Sequence, residues 1–382
     1  MSLSSDIKEY ALNLGYDRVG FTTADKFTFY EQEIMKRPEM YDWMRGGIER
    51  RLKSTDPKND LPEAKSMIVA IYDCLKQSCP SAMVGKIGRY YQSFGGTPPR
   101  PMHRARRRLL KEFLEKRGCR MGPNDIVPPA RLAGARAGVT NFGKNTFAFA
   151  EDIGSYITID SLVVDMELEY DEATFEVNCP DECTLCLDSC PTGAIYESLK
   201  INPRRCVAYN SYATLGSFSI EPQDVLPLDI RELMGTWIYG CDICQQVCPR
   251  NQRRLKAKVS PDAYLEQVAG DFHLEKLLNM SEEYFNQRVF PLLHHIKYRR
   301  YFQRNAAVAL GNLGEEESVP ALTRAMRDLD ELVRGHTAWA LGKIGGSQAR
   351  QALETSLATE TSEYAREEIR TALNNLKIHL MS

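Results

Sequence analysis

Cysteine spacing in the middle of the chain restricts its fold more than any other feature of the sequence. Eight of the eleven cysteines lie between residues 179 and 248, in two short runs with a single cysteine between them. Both runs end in the dipeptide Cys-Pro, at residues 190–191 and 248–249. Within a run the cysteines are separated by two or three residues, so one tight turn can point several thiols inward.

This pattern predicts two [4Fe–4S] clusters. Each cubane needs four thiolate ligands, and in two-cluster ferredoxins the last cysteine of each run binds the other cluster. By that rule, cluster one is held by Cys179, Cys183, Cys186 and Cys248. Cluster two is held by Cys190, Cys206, Cys241 and Cys244. The first gap of the first run contains three residues instead of two, which predicts a bulge in that loop.

Structural zinc is the alternative use of these cysteines. Zinc sites use paired Cys-x₂-Cys knuckles, which do not explain closely spaced cysteines that end twice in Cys-Pro. The sequence therefore indicates a redox protein that moves electrons one at a time. Cys74 lies at the end of a buried-strand pattern and is predicted to be a core residue. Cys79 and Cys119 have no assigned role.

Bulk composition restricts the location and the partners. A chain of 382 residues with 43% hydrophobic content can form two or three domains with buried cores. The net charge of −2 does not by itself indicate a polyanionic partner. No apolar run of about eighteen residues occurs, so no membrane span is predicted. The start of the chain reads as an amphipathic helix and not as an export signal, so we expect a cytoplasmic protein.

The first region predicts an α+β protein. Residues 66–72 form a buried-strand pattern, and residues 156–159 and 162–164 read as further strands. Residues 102–116 form a strongly basic helix pattern that ends at Gly118. We predict that residues 1–165 form an α/β domain.

Two further domains are predicted after it. Residues 166–255 contain the cysteines and form a ferredoxin-like domain, in which the clusters replace much of an apolar core. Residues 256–382 form a helical linker followed by helical repeats.

The repeats have a period of 31 residues. The sequence AVALGNLG at residues 307–314 recurs as AWALGKIG at 338–345, and a weaker copy, ALNNL, lies at 372–376. An Ala-Leu pair at 321–322 recurs at 352–353. This period favours a short HEAT-like solenoid over a plain helical bundle, and its small residues predict close helix approach. Three units are near the minimum for stability, so we expect the solenoid to dock on the rest of the chain.

Eight short segments are distinctive in addition to the cysteine spacing. They are LGYDRVG at 14–20, DP at 56–57, LPEAKS at 61–66, GRY at 88–90, GKN at 143–145, CPTGAI at 190–195, RC at 205–206 and YGCDICQ at 239–245. In these segments the chain resembles the epoxyqueuosine reductase family, cobalamin-dependent iron–sulfur enzymes of tRNA modification. The resemblance runs nearly end to end, and HEAT-like repeats also occur in members of the family.

The resemblance implies a cobalamin-binding N-terminal domain, a ferredoxin-like middle and a helical tail that contacts tRNA. It implies that an external low-potential donor supplies electrons, which pass through the clusters to a base-off corrinoid. An acid would then donate a proton while the epoxide of epoxyqueuosine becomes an alkene. The cobalamin-binding residues implied by the resemblance are Arg89, Tyr90, His103, Gly143, Lys144 and Asn145.

The segment that carries the acid departs from the family. Counting back without gaps from Gly143 puts Asn124 where the family has its proposed proton-donating aspartate, and Asp125 comes one residue late. Asparagine is not a useful proton donor at neutral pH. Asp125 is therefore the predicted donor if the loop has slipped by one residue. Further departures lie at Ala135, Asn141 and residues 101–103.

These departures leave three functions open. The first is reduction of epoxyqueuosine in tRNA. The second is reduction of a different small substrate by the same cofactors, with dehalogenase-like chemistry. The third is a corrinoid-binding electron carrier or activator that has no substrate of its own.

Basic islands are the candidate contacts for tRNA. One lies in the helix that follows His103, although such a run is more often a solvated helix face. The other islands consist of Arg253, Arg254, Lys256 and Lys258, and of His294, His295, Lys297, Arg299, Arg300 and Arg304.

Overall fold

A three-stranded sheet organises the N-terminal part of the molecule. The computed structural model describes residues 2–41, 47–93, 102–211, 224–293 and 296–379. In it, β2 is the central strand and pairs antiparallel with β1 on one side and with β5 on the other. The strands are β1 (Arg18–Thr23), β2 (Ser66–Asp73), β5 (Ile157–Val164), and a separate hairpin of β3 (Asn141–Phe142) and β4 (Ala148–Phe149).

Helices cover both faces of this sheet, which explains why its strands are apolar on both sides. On one face, α1 (Leu3–Asn13) and α5 (Met102–Glu115) bury residues such as Ile7 and Leu110 against Ile68. On the other face, α6 (Ala130–Arg136) buries small residues such as Ala133 against Val69 and Val163. Three shorter helices complete this region: α2 (Thr28–Lys36), α3 (Gly47–Lys53) and α4 (Arg89–Ser93).

The sheet confirms some predictions and corrects two. The predicted strand at residues 66–72 and the helix at 102–116 are both present. The α/β prediction for this region was wrong, because an α/β sheet has parallel strands joined by helical crossovers and these pairings are antiparallel. The two strands predicted at its end are the single strand β5, because Asp160 and Ser161 continue the pairing with β2.

Short elements make up the cysteine-rich region. Its helices are one or two turns long and its strands have two or three residues, so the backbone mostly follows loops. The elements are α7 (Leu185–Asp188), β6 (Ile195–Glu197), β7 (Lys200–Ile201), α8 (Val207–Ser211), α9 (Leu228–Leu233), α10 (Ile243–Gln246) and α11 (Pro249–Leu255).

Longer helices fill the last region. A linker of α12 (Ala263–Val268), α13 (Leu274–Leu278) and α14 (Glu282–Tyr284) leads to the repeats. The repeat helices are α15 (Arg299–Leu313), α16 (Val319–Ala325), α17 (Glu331–Ile344), α18 (Gly346–Thr359) and α19 (Glu363–His379). None of the helices in these described ranges is long and apolar enough to cross a membrane.

The repeated glycines explain the period of 31 residues. A Cβ atom at Gly311 in α15 would lie 2.9 Å from the Cα atom of Ala340 in α17. One repeat later, a Cβ atom at Gly342 would lie 2.6 Å from the Cβ atom of Ala372 in α19. Each glycine therefore allows its helix to approach the equivalent helix of the next repeat, as the small residues predict.

The repeats dock on the cysteine-rich region through buried polar side chains. Arg304 donates to the backbone oxygen of Asn210 at 2.7 Å, and Asn305 donates to those of Ser211 and Ile238, both at 2.8 Å. Arg304 and Asn305 are fully buried. In a second contact, Arg231 forms a bidentate pair with Glu368 at 2.8 and 2.6 Å. The solenoid thus holds the chain between Cys206 and Cys241, which confirms the docking expectation.

Candidate functional site: a double iron–sulfur segment beside a cationic cleft

The eight thiols fall into two groups of electrostatic neighbours. The first group is Cys179, Cys183, Cys186 and Cys248. The second group is Cys190, Cys206, Cys241 and Cys244. These are the same sets that the ferredoxin rule gives. No three His, Cys, Asp or Glu side chains among the described residues surround a single ion, but in a cubane each cysteine binds a different iron atom.

Burial controls the protonation of these thiols. It raises the pKa of Cys186 to about 11, and the neighbouring thiols of Cys248 and Cys179 add to the increase. It also raises the pKa of Cys206, and it raises that of Cys244 well above the ordinary value. Such thiols are protonated at neutral pH unless a metal ion takes the place of the proton. The donor set therefore fits iron binding.

One tight turn, residues 143–146, touches both cysteine groups. The Lys144 ammonium donates to the backbone oxygens of Pro180 at 2.9 Å, Asp181 at 2.7 Å and Cys183 at 3.1 Å, all in the first group's loop. The Asn145 amide donates to the backbone oxygen of Cys244, in the second group, at 3.1 Å.

The turn needs glycine at its start. A Cβ atom at Gly143 would lie 2.4 Å from the Phe149 ring. The predicted cobalamin residues Gly143, Lys144 and Asn145 are therefore placed on the cluster side, where they orient the cysteine loops. The ammonium of Lys144 has three protons, and the three carbonyls use all of them.

A cleft of about 1710 Å³ opens beside the first cysteine group. One of its walls is Phe142, whose backbone oxygen accepts from the N–H of Asn178 at 3.1 Å, next to Cys179. The other walls come from α2, α3, the segment 126–132 and the β6–β7 hairpin. The volume exceeds the roughly 300–1,000 Å³ of ordinary small-molecule pockets, so the cleft has space for a large cofactor.

The lining is aromatic and strongly cationic. Its charged residues include eight cations and one carboxylate, Glu33, whereas the whole chain has a net charge of −2. The cations are Lys26, Lys36, Arg37, Arg50, Arg51, Arg131, Arg136 and Lys200. The aromatic residues are Phe27, Phe29, Tyr30, Tyr41, Phe142 and Phe175. Sequence reasoning missed most of these residues, since nothing in the spacing of α2 distinguishes a cleft wall from an ordinary helix.

Asp125 lies on a loop at the edge of this cleft. The loop is fixed by the buried Asp60 carboxylate, which accepts from the backbone N–H groups of Asn124 and Ile126, both at 3.1 Å. Asn124 adopts a left-handed conformation with φ +72°, which asparagine and aspartate tolerate better than most residues. The side chain of Asp125 is exposed, whereas Ile126 beside it lines the cleft.

The other predicted cobalamin residues do not line the cleft. The backbone N–H of Arg89 donates to Asp242, between two cysteines of the second group, at 2.6 Å. Tyr90 packs on a small cluster that contains Cys74 and Tyr156, which also places Cys74 in a core as predicted.

His103 lies on the other side of the sheet from the cleft. Its Nε2 atom is 3.4 Å from the buried Asp160 carboxylate, which also accepts from the Tyr16 hydroxyl at 2.6 Å. This carboxylate points to the face that α5 covers, whereas α6, on the opposite face, lines the cleft. The structure therefore places His103 away from this cleft, and its role at cobalamin stays a prediction.

The basic islands contribute fewer free charges than the sequence predicts. Arg304 is buried at the docking contact, Arg299 pairs with Asp328 at 2.9 Å, and Arg254 pairs with Asp73. His294 and His295 lie outside the described residues. Lys256, Lys258, Lys297 and Arg253 remain exposed.

Comparison with known proteins defines the class first. Residues 179–251 match the 4Fe-4S double cluster binding domain family, and residues 289–374 match the HEAT repeats family. The chain is therefore a double-cluster iron–sulfur protein with HEAT repeats, and both predictions are confirmed.

Full-length relatives then define the family. The chain is 30% identical to the epoxyqueuosine reductase of Bacillus subtilis, over 98% of this chain and 96% of that protein. It is also 30% identical to the epoxyqueuosine reductase of Staphylococcus aureus, over 96% of each chain. The chain belongs to the epoxyqueuosine reductase family. It is thus an oxidoreductase, and its cofactors are two [4Fe–4S] clusters and cobalamin, as the resemblance implied.

Solved structures agree with this assignment. A structure of the Bacillus subtilis enzyme, with its catalytic aspartate loop swung out of the active site, is similar with a TM-score of 0.79 and 27% identity, over 98% of this chain and 99% of that one. An epoxyqueuosine reductase bound to an epoxyqueuosine-modified tRNA stem loop gives a TM-score of 0.78 and 28% identity, with the same coverage. The enzyme of Streptococcus thermophilus shares the fold, with a TM-score of 0.81 and 22% identity over 99% of this chain and all of that one.

Proposed function

We propose that this chain reduces epoxyqueuosine in tRNA to queuosine. The observation that supports this most is the position of the double-cluster segment, which forms one wall of a large cationic cleft in a chain similar to these reductases from end to end. Conversion of the epoxide to an alkene consumes two electrons and two protons and releases the oxygen as water. Because each cluster passes single electrons, an external low-potential donor must supply two of them in turn.

The cysteine groups are the proposed ligand sets. Cluster one is assigned to Cys179, Cys183, Cys186 and Cys248. Cluster two is assigned to Cys190, Cys206, Cys241 and Cys244. Cluster one borders the cleft, since the loop before Cys179 is bonded to the cleft residue Phe142. Cluster one would therefore be the cluster that passes electrons to the cleft.

The cleft is the proposed cobalamin site, and it gives residues 1–165 the role of a cobalamin-binding domain. The cleft volume and the mixed aromatic and cationic lining fit a large macrocycle with amide and phosphate groups. Phe27, Tyr30 and Arg131 would hold it in place of the residues that the resemblance suggested. When bound, cobalamin supplies the reactive cobalt centre, and the protein supplies orientation and protons.

Asp125 is the proposed proton donor. Its carboxyl group is exposed one residue away from the cleft lining, so the loop must turn inward for a proton to reach the substrate. The relative whose catalytic aspartate loop is swung out of the active site supports a loop of this kind. Asp60 accepts from the two flanking N–H groups, and these hydrogen bonds would have to break as the loop turns inward.

The cations of the cleft are the proposed contacts for the tRNA backbone. Four cations of the lining pair with carboxylates: Lys26 with Glu31, Lys36 and Arg37 with Glu33, and Lys200 with Glu197. The remaining cations, Arg50, Arg51, Arg131 and Arg136, would attract phosphates in a salt-dependent manner. The exposed lysines Lys256, Lys258 and Lys297 would extend this contact towards the repeats. Since tRNA is the proposed substrate, we place the protein in the cytoplasm.

The experiment is a reaction with a defined substrate. Protein purified anaerobically and loaded with iron, sulfide and cobalamin is mixed with dithionite and an epoxyqueuosine-modified stem loop. Nucleoside mass spectrometry should show queuosine appearing in proportion to turnover. Protein with full iron and cobalamin content that forms no queuosine would overturn the proposal.

The acid is tested by moving it along the loop. Asp125→Asn should lower the rate by about 10²- to 10⁴-fold, the usual contribution of a general acid. Asn124→Asp in the Asp125→Asn background restores a carboxyl group one residue earlier, in a conformation that aspartate tolerates. Recovery in that double variant would show that position 124 is the one that reaches the substrate, and an active Asp125→Asn single variant would reject Asp125. Asp152→Asn, at an exposed residue, is the matched control.

A further inference from the structure

Arg250 lies between the first cysteine group and the cleft. It follows Cys248 in the sequence by two residues, at the start of α11, and is half-buried. Its guanidinium forms a side-chain hydrogen bond with the Cys179 thiol and is close enough to the Cys248 thiol for its charge to act there. One arginine thus faces two of the four proposed ligands of cluster one.

The other edge of the same guanidinium holds the strand that forms the cleft wall. Arg250 donates to the amide oxygen of Asn141 at 2.5 Å and to the backbone oxygen of Phe142 at 3.2 Å. The guanidinium carbon lies 4.0 Å from the centre of the Phe149 ring. Since Phe142 lines the cleft, Arg250 connects the cluster ligands with the cleft wall through direct contacts.

The charge of Arg250 is not cancelled by an acid in the part of the chain that the structure describes. Its oxygen partners there are an amide and a carbonyl, both uncharged. Lys144, the second cation at the first group, likewise contacts only carbonyl oxygens. At the second group, Arg205 pairs with Asp229 at 3.0 Å, and Asp242 lies between two of the cysteines. Three acids also lie in the loop of the first group, Asp181, Glu182 and Asp188, but all three are exposed, so water and salt screen them. Asp242 is buried beside Arg89 at the second group. The two groups therefore differ in that only the second has a buried carboxylate next to its cysteines in the sequence.

We propose that Arg250 is a positioning residue that raises the reduction potential of cluster one above that of cluster two and couples that cluster to the cleft wall. This inference rests on the cluster ligand sets of the proposed function. A cluster gains one negative charge when it takes up an electron, and a nearby cation and hydrogen bonds to sulfur stabilise that reduced form. Electrons would then run downhill from cluster two to cluster one, towards the cleft.

The test is an EPR-monitored redox titration of the full-length protein with both clusters, without substrate. Arg250→Gln should lower the higher of the two midpoint potentials by a tenfold change in the reduced-to-oxidised ratio, about 59 mV for one electron, and leave the lower one in place. Arg250→Lys keeps the charge but not the fork of donors and should give a smaller shift. Arg253→Gln, on the same helix but exposed and paired with Asp152, should give none.

A second variant covers the case in which Arg250→Gln fails to hold iron. Asn141→Asp puts a carboxylate on the guanidinium and leaves the arginine in place, so it should lower the same midpoint potential. Unchanged potentials in an iron-replete variant of either kind would overturn the proposal, as would a shift of the lower midpoint alone. Since the readout needs neither tRNA nor turnover, it is independent of the substrate assignment.

Discussion

The cysteine-rich region and the helical repeats are held together by different means. Between Cys179 and Cys248 the described α-helices have four to six residues, and the strands have two or three. From α15 onward most helices have fourteen or more residues, and they bury a continuous apolar core that includes Leu310, Leu341 and Leu353. The cysteine-rich region has a smaller apolar cluster, which packs on Val308 of the repeats and consists of Val207, Leu226, Ile230, Met234 and Trp237. Beyond this cluster, it depends on its iron–sulfur clusters and on polar contacts with its neighbours.

This difference shows how a redox relay is kept rigid with only a small apolar core of its own. Lys144 and Asn145 fasten the cysteine loops from the sheet side, and Arg304 and Glu368 fasten the region from the repeat side. The following predictions test whether the two regions are independent, in order of decreasing effect.

Loss of a cluster ligand should separate the two regions most clearly. Cys186→Ser should reduce the iron content from about eight to about four atoms per chain and abolish queuosine formation, because cluster one borders the cleft. Hydrogen exchange should become faster around residues 179–188 and stay unchanged in α17. Cys79→Ser, outside both groups, should keep all of the iron. Equal loss of protection in the repeats would contradict the proposed independence.

The buried pair between the regions should couple them. Arg231 is 1% exposed and is paired with Glu368, so Arg231→Met leaves the Glu368 carboxylate, whose side chain is 15% exposed, without its partner. Such a loss typically costs about 3–5 kcal/mol, and the urea midpoint should fall accordingly. The double variant Arg231→Met with Glu368→Met should recover most of the loss, since apolar replacement of both partners is often neutral. If it recovers nothing, the pair is not the source of the stability.

The three hydrogen bonds from Lys144 to the loop of residues 180–183, called here the Lys144 clamp, should stabilise that loop alone. Lys144→Met removes three charge-assisted hydrogen bonds to the loop of residues 180–183, each worth about 1.5–3 kcal/mol. We expect a chelator to bleach the visible absorbance of the protein about tenfold faster, while thermal unfolding of the repeats stays the same. Lys58→Met, at an exposed lysine, is the control. Unchanged bleaching would show that the clamp does not protect the cluster.

The smallest effect should come from an ion pair within the repeats. Arg334 donates twice to Glu360, both at 2.7 Å, and this holds the pKa of Glu360 below its ordinary value of 4.5. A depressed pKa contributes stability above the unfolded pKa and loses it as the pH falls through the folded one. Acidification below about pH 4.5 should therefore destabilise the repeats in the wild type, and less so in Glu360→Gln. Exchange rates in α17 measure this, with the exposed Glu354→Gln as control.

Local spacing in the sequence was enough to predict the cysteine groups and the repeats. Cysteines two or three residues apart must share a turn, and a 31-residue period brings Gly311 and Gly342 to equivalent contacts. The cleft was not predictable in this way, because Phe27, Arg131 and Leu199 come from distant segments that meet only in the folded chain.

Motif similarity located important residues but not their surroundings. Lys144 was expected at the cofactor, yet its three protons are used by carbonyls of the cysteine loop. Asp60 had no role in the prediction, although its carboxylate orders the loop of the proposed acid. A sequence match records which residue is present. The hydrogen-bond partners of that residue depend on packing between segments that are far apart in the chain.

The Lys144 clamp also has a consequence for insertions and deletions in the cysteine loop. The gap between Cys179 and Cys183 is one residue longer than the usual spacing, and the carbonyls of that gap are gathered by a side chain from outside the loop. A change in the length of this loop therefore need not move the thiols. Related sequences that keep a lysine at this point can gain or lose a residue there over time, whereas the gaps without such a clamp should stay fixed in length.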